Sequence, residues 1–109
     1  MSKKNAVKNL ELGFFNVASL TGTPTLMVNG FMTESCFAIR ISNDSNVAVQ
    51  ISYDGVTAHD VVLAQGVLFI NLLNSADRDV NFAKGAGIYV SGTAGTGFIY
   101  FGGYYLASN

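Results

Sequence analysis

Residues 36–55, CFAIRISNDSNVAVQISYDG, decide how this chain is read. Phe37, Ile39 and Ile41 alternate with Cys36, Ala38 and Arg40. Val47, Val49, Ile51 and Tyr53 then alternate with Ala48, Gln50 and Ser52. Successive side chains of a strand point to opposite faces, so a period of two predicts two strands, each with one buried and one wet face. Between them NDSN (43–46) has turn chemistry, because Asn, Asp and Ser side chains bond their own backbone. The two runs are therefore expected to form an antiparallel pair.

The same texture extends in both directions. Asp54 and Gly55 break the second strand, and a short loop leads to Asp60. VVLAQGVLFINL (61–72) reads as two strands kinked at Gly66, where an interior glycine suggests a bulge or a sheet corner. NSADRD (74–79) is a polar loop; GIYVSG (87–92) and GFIYFGGYYLA (97–107) are the last strands. Upstream, LELGFFNVAS (10–19) and TLMVNGFM (25–32) supply two more. The segments around Gly13 and Gly102 share one texture, an aromatic strand broken by glycine. No helical period appears, and Gly, Thr, Val, Ile, Phe and Tyr dominate. The expected fold is all-β: an antiparallel, jelly-roll-like β-sandwich of seven or eight short strands, with a compact barrel as its neighbour. Residues 1–9, polar and carrying Lys3, Lys4 and Lys8, read as a flexible arm, and residues 10–109 as a single domain.

Composition narrows the function. The chain has 109 residues, 50% of them hydrophobic and only 12% charged, against roughly 25% charged in an average globular domain. A net charge of -1 without a basic stripe gives no footprint for nucleic acid. A surface so short of charge is expected to be covered in part by another subunit. The lone Cys36 excludes an internal disulfide and points to assembly in a reducing compartment. MSKKNAVKN has no apolar run behind its lysines, so no secretory signal is expected. No run of about 18 apolar residues exists that would cross a membrane as a helix. The apolar stretches also lack the in–out alternation of a small membrane barrel.

No set of residues assembles into a recognisable chemistry. His59, beside Asp60 and five residues after Asp54, has a carboxylate but no nucleophile to serve. Asp54 with Asp60, or Asp77 with Asp79 around Arg78, lack the further oxygen ligands of a calcium loop. GAG (85–87) and GTAGTG (92–97) have strands on both sides and no following lysine, so they read as hairpin turns and not phosphate loops. Cys36 reads as a buried structural thiol. The expectation is no catalytic residue, no cofactor and no metal site.

What remains is residues 85–109, a charge-free tract with seven of the twelve glycines and four of the five tyrosines. Its strand is apolar on both faces and must be covered twice, by its own core and by a partner. Phe98, Tyr100 and Tyr104 are assigned to the core side. Ile99, Phe101 and Tyr105 are assigned to a subunit interface, with Arg40 as the mid-strand charge that pairs with Glu34 or Glu11 or reaches a neighbouring subunit.

With Ser52, Asp54, Gly55, Asp60, Gly66, Gly85, Gly95 and Gly97 in place, the chain over about residues 36–105 resembles the small all-β structural proteins of tailed bacteriophages. The resemblance is one of turn placement and texture. It implies a virion component assembled in the host cytoplasm. The type is a capsid decoration, or cement, protein that sits as a dimer or trimer between capsomers and binds the major capsid protein or another virion protein. A tail or head–tail component is the alternative within that group. A carbohydrate-binding β-sandwich using exposed tyrosines is the alternative outside it.

Overall fold

The computed structural model describes residues 5–72 and 82–108. Nine strands follow one another: β1 (Asn5–Asn9), β2 (Gly13–Asn16), β3 (Thr25–Phe31), β4 (Ala38–Ser45), β5 (Val49–Ser52), β6 (Asp60–Val62), β7 (Val67–Asn71), β8 (Gly87–Ser91) and β9 (Gly97–Ser108). Among the described residues the only helical element is one 3-10 turn, Val17–Ser19. The Asn16 side chain caps it by accepting from the Ala18 N–H.

All pairings between strands are antiparallel, in the order β6-β5-β8-β3-β2-β9-β4-β7. Two four-stranded sheets result, β2-β9-β4-β7 and β3-β8-β5-β6. Except between β5 and β6, each step from β2 to β9 carries the chain from one sheet to the other. That is jelly-roll topology, a double Greek key. The sheets touch where Phe14 of β2 pairs with Val28 of β3. On the far side the β4–β5 and β6–β7 links cross between them, so the sandwich is nearly a closed, flattened barrel.

Alternation in 36–53 places the core as expected: Ile39, Ile41, Val49 and Ile51 are fully buried. They meet Met27, Ile88, Val90, Ile99 and Phe101 from the other strands. Each such side chain contributes roughly 1.5–3 kcal/mol on leaving water. The antiparallel pairing expected for the two runs does not form, however. β4 pairs with β9 and β7, while β5 pairs with β8 and β6. Residues 43–46 are correspondingly not the expected turn: β4 runs through Ser45.

The reason is a buried polar corner. Asn43 turns inward and donates through its amide nitrogen to the carbonyls of Val47, Val62 and Leu63, at 2.8, 3.1 and 3.1 Å. The Ser45 hydroxyl donates to Asn43 Oδ1, and Gln65 Nε2 donates to the Ser45 carbonyl. These bonds satisfy the backbone that a strand leaves unpaired on changing sheets, so residues with turn chemistry serve a bend in a continuous run. Opposite them β6 and β7 bend together around Gly66, as its position suggested, with Gly66 N–H donating to the Leu63 carbonyl.

Two further expectations change. Of the polar arm, Asn5–Asn9 is strand β1, paired with Tyr104–Ser108 of β9. β9 runs on past the ends of β2 and β4, and its free backbone groups are a template for another strand. GTAGTG is a link between sheets, not a hairpin, since β8 and β9 are not paired. Gly97 enters β9 with φ +118°, and a Cβ there would run into the Asp44 carbonyl. The similar strands around Gly13 and Gly102 lie side by side, Gly13 opposite Phe101.

Candidate functional site: an exposed aromatic sheet face

Register builds the outer face of the β2-β9-β4-β7 sheet row by row. Across its middle run Val28, Phe14, Tyr100, Ser42 and Val67. On one side lies the row Asn16, Phe98, Asp44; on the other, Gly102, Arg40, Phe69. Beyond these come Tyr104 with Ala38, then Val7 with Leu106. Much of this face is open to solvent: Phe98 is 38% exposed, Phe69 54% and Val67 63%. Neighbouring rings organise it. Phe98 stacks on Tyr100 with centroids 6.2 Å apart, and Phe69 meets Tyr104 edge-on at 6.4 Å. Scattered apolar residues on a surface are ordinary, but contiguous rows of them mark a site of association.

This face is the reverse of the one assigned from sequence. Ile99 and Phe101 are completely buried in the core, and Tyr105 packs against it. Phe98, Tyr100 and Tyr104 point outward instead. With both faces apolar, alternation in β9 carries no sign, and register with β4 supplies it: Ile41 pairs with Phe101 and Asn43 with Ile99, all buried. One signal was legible. Tyr100 and Tyr104 carry hydroxyls that prefer water, and Ile99 has none.

Arg40 does lie on the exposed face, opposite Gly102 and Phe69. Its guanidinium leans across the sheet, Nη2 lying 3.5 Å from where a Cβ on residue 102 would stand. Among the described residues neither Glu34 nor Glu11 pairs with it, and no other carboxylate does. A single cation therefore sits in an apolar field with Asp44, the only acid of the rows, four residues away on the same strand.

The polar loop 52–60 has another use. Asp54 Oδ1 accepts from the N–H groups of Val56 and Thr57 and from the Ser52 hydroxyl, and Ser52 Oγ accepts from the Gly55 N–H. The Thr57 and Val56 N–H groups, then Ser52, hold the Asp54 carboxyl down at about 2. His59 Nδ1 accepts from the Tyr53 N–H, which fixes the neutral ring as the Nε2–H tautomer and occupies the lone pair a base would use. Its ring stacks on Tyr53, whose hydroxyl donates to Asp60 at 2.7 Å. Burial, then the bond to Asp60, pushes the Tyr53 phenol up. These side chains hold a loop in shape.

Cys36 is buried, and burial, then Glu34, raises its thiol. Asp77, Arg78 and Asp79 lie outside the described residues. Among the described residues no three His, Cys, Asp or Glu side chains gather as metal ligands. Among the described residues the exterior of the β2-β9-β4-β7 sheet is an aromatic surface holding one cation and one acid. No family model matches the chain, and neither the curated proteins nor the solved structures include a match.

Proposed function

We propose that this protein is a non-enzymatic structural component of a virion, a capsid decoration protein that works as a homo-oligomer on the shell of the major capsid protein. The observation that carries the reading is the exposed aromatic face of the β2-β9-β4-β7 sheet. An aromatic side chain left in water forgoes roughly 1.5–3 kcal/mol of burial, and contiguous rows of such side chains are stable in a crowded cell only when another subunit covers them. His59, Asp54 and Asp60, the side chains weighed for catalysis among the described residues, are engaged in the 52–60 loop. The jelly-roll topology, the low charge and the resemblance to small virion proteins support the shell as the place of use.

The test is association. Wild-type protein should co-sediment with undecorated shells of the virus that encodes it, and Phe98→Asp or Phe69→Asp should lose association while keeping the β-sheet circular dichroism of the wild type. Protein that stays monomeric in light scattering and ignores shells would sink the proposal. Labelling in the intact particle separates head from tail.

A further inference from the structure

The aromatic face has a symmetry that names its partner. Arg40 and Asp44 stand on β4 two residues to either side of Ser42, and Phe98 and Gly102 stand on β9 two residues to either side of Tyr100. Ser42 and Tyr100 are directly paired. Charge and size are thus both reversed about the same row. On one side lie an acid and a large ring; on the other, a cation and an open glycine.

We propose that this face packs against the same face of a second copy of the chain, about a two-fold axis running along the row Phe14, Tyr100, Ser42, Val67. The proposal rests on the reading of the face as a subunit contact and specifies which subunit. A two-fold contact is isologous, so residue i meeting j′ requires j to meet i′. An axis across the strands lays each strand antiparallel on its own copy. Arg40 then faces Asp44 of the other copy, and Asp44 faces Arg40. Phe98 faces the gap at Gly102, where, among the described residues, the one side-chain atom within 4 Å of the place of a Cβ is Arg40 Nη2. The ring can stack there on the guanidinium, as aromatic rings and guanidinium groups do.

Distances permit it. At about 3.3 Å per residue, Arg40 and Asp44 each lie roughly 6.6 Å from the axis. The ~30° rotation usual between packed sheets displaces them sideways by only about 3 Å, within the reach of an arginine. Facing sheets lie ~10 Å apart, room for a layer of rings. The pairing also explains why the two charges lack partners among the described residues: each is completed by the other copy.

The experiment is a charge swap read by sedimentation equilibrium. Wild type should be a dimer at high concentration. Arg40→Asp and Asp44→Arg should each weaken it by roughly tenfold or more, because two ion pairs become two like-charge contacts. The double variant, Arg40→Asp with Asp44→Arg, should restore it. A monomeric wild type, single variants that dimerise like wild type, or a double variant as weak as the singles would each overturn the arrangement. Circular dichroism on the same samples reports folding, which exposed charges should not disturb. Shell binding is scored separately. A dimer that ignores shells removes the capsid reading and leaves this pairing, and a monomer that binds shells does the reverse.

Discussion

Tyr89 and Tyr100 both stand on the outward face of a strand with neighbours on both sides, one in each sheet, and they meet different surroundings. Tyr89, on β8, pairs with Ser52 and Leu26, and its ring lies against Gly87 and beneath Gly55. The loop 52–60 folds over it, so Ser52, though outward, is buried. Tyr100, on β9, has the exposed rings of Phe98 and Phe14 beside it, Ser42 paired to it and the exposed Val67 beyond. Among the described residues one sheet is thus capped by its own chain, whereas the other presents exposed rings. A sandwich of this size can roof one exterior with a hydrogen-bonded loop; among the described residues nothing similar covers the other.

The largest effect should come from reversing the inner and outer residues of β9. Phe101→Ala, deep in the core, should cost about 3–5 kcal/mol in chemical denaturation, enough to unfold a domain of marginal stability. A mild effect would mean that the inner face had been misassigned. Next comes the roof over Tyr89. Gly55 has φ +79°, and a Cβ there would stand 3.1 Å from the ring of Tyr89. Gly55→Ala should therefore lose about 1–2 kcal/mol, with tyrosine fluorescence reporting the disturbed ring.

A smaller effect is expected at Asp54, and it depends on pH. Its carboxyl is held at about 2, below the ordinary 3.8, so its contribution is complete above the unfolded value and is lost as pH falls through the folded one. Melting curves of wild type and Asp54→Asn should differ at neutral pH and converge between about pH 4 and pH 2. A constant gap would show that the charge is immaterial to the loop. The least effect on folding belongs to Phe98→Ser on the bare face: within about 0.5 kcal/mol for the isolated subunit, while association is lost. A large destabilisation there would mean that the ring is covered by its own chain.

The strands themselves were legible because a period of two is a local property. The buried positions Ile39, Ile41, Val49 and Ile51, the bend at Gly66 and the final aromatic strand fall where alternation and glycine put them, whereas the turn expected at 43–46 does not. Sheet membership was not legible, since β4 meets β9 across some sixty residues of sequence and nothing local specifies that pairing. At 43–46 turn chemistry was read correctly, but its use was not: the Asn43 amide binds carbonyls of β6 and its following bend, which no window around Asn43 contains. For the candidate site, the tract was identified and its face inverted. Arg40 was singled out as an unmanaged charge, but its relation to Asp44 needed only β4 to run past Ser42, which the presumed turn hid. β1 was missed because NAVKN has little strand character of its own and is held by the overhang of β9.

The place of β9 has a consequence for how the molecule is made. It is the last strand in chain order, yet it lies in the middle of its sheet, between β2 and β4. Until residues 97–108 have emerged from the ribosome, β2 and β4 have no common neighbour, and the core lacks Ile99 and Phe101. Native structure therefore waits for the end of this segment's synthesis. The nascent chain must hold its earlier strands uncommitted, or pair them wrongly and release them, before the central strand arrives.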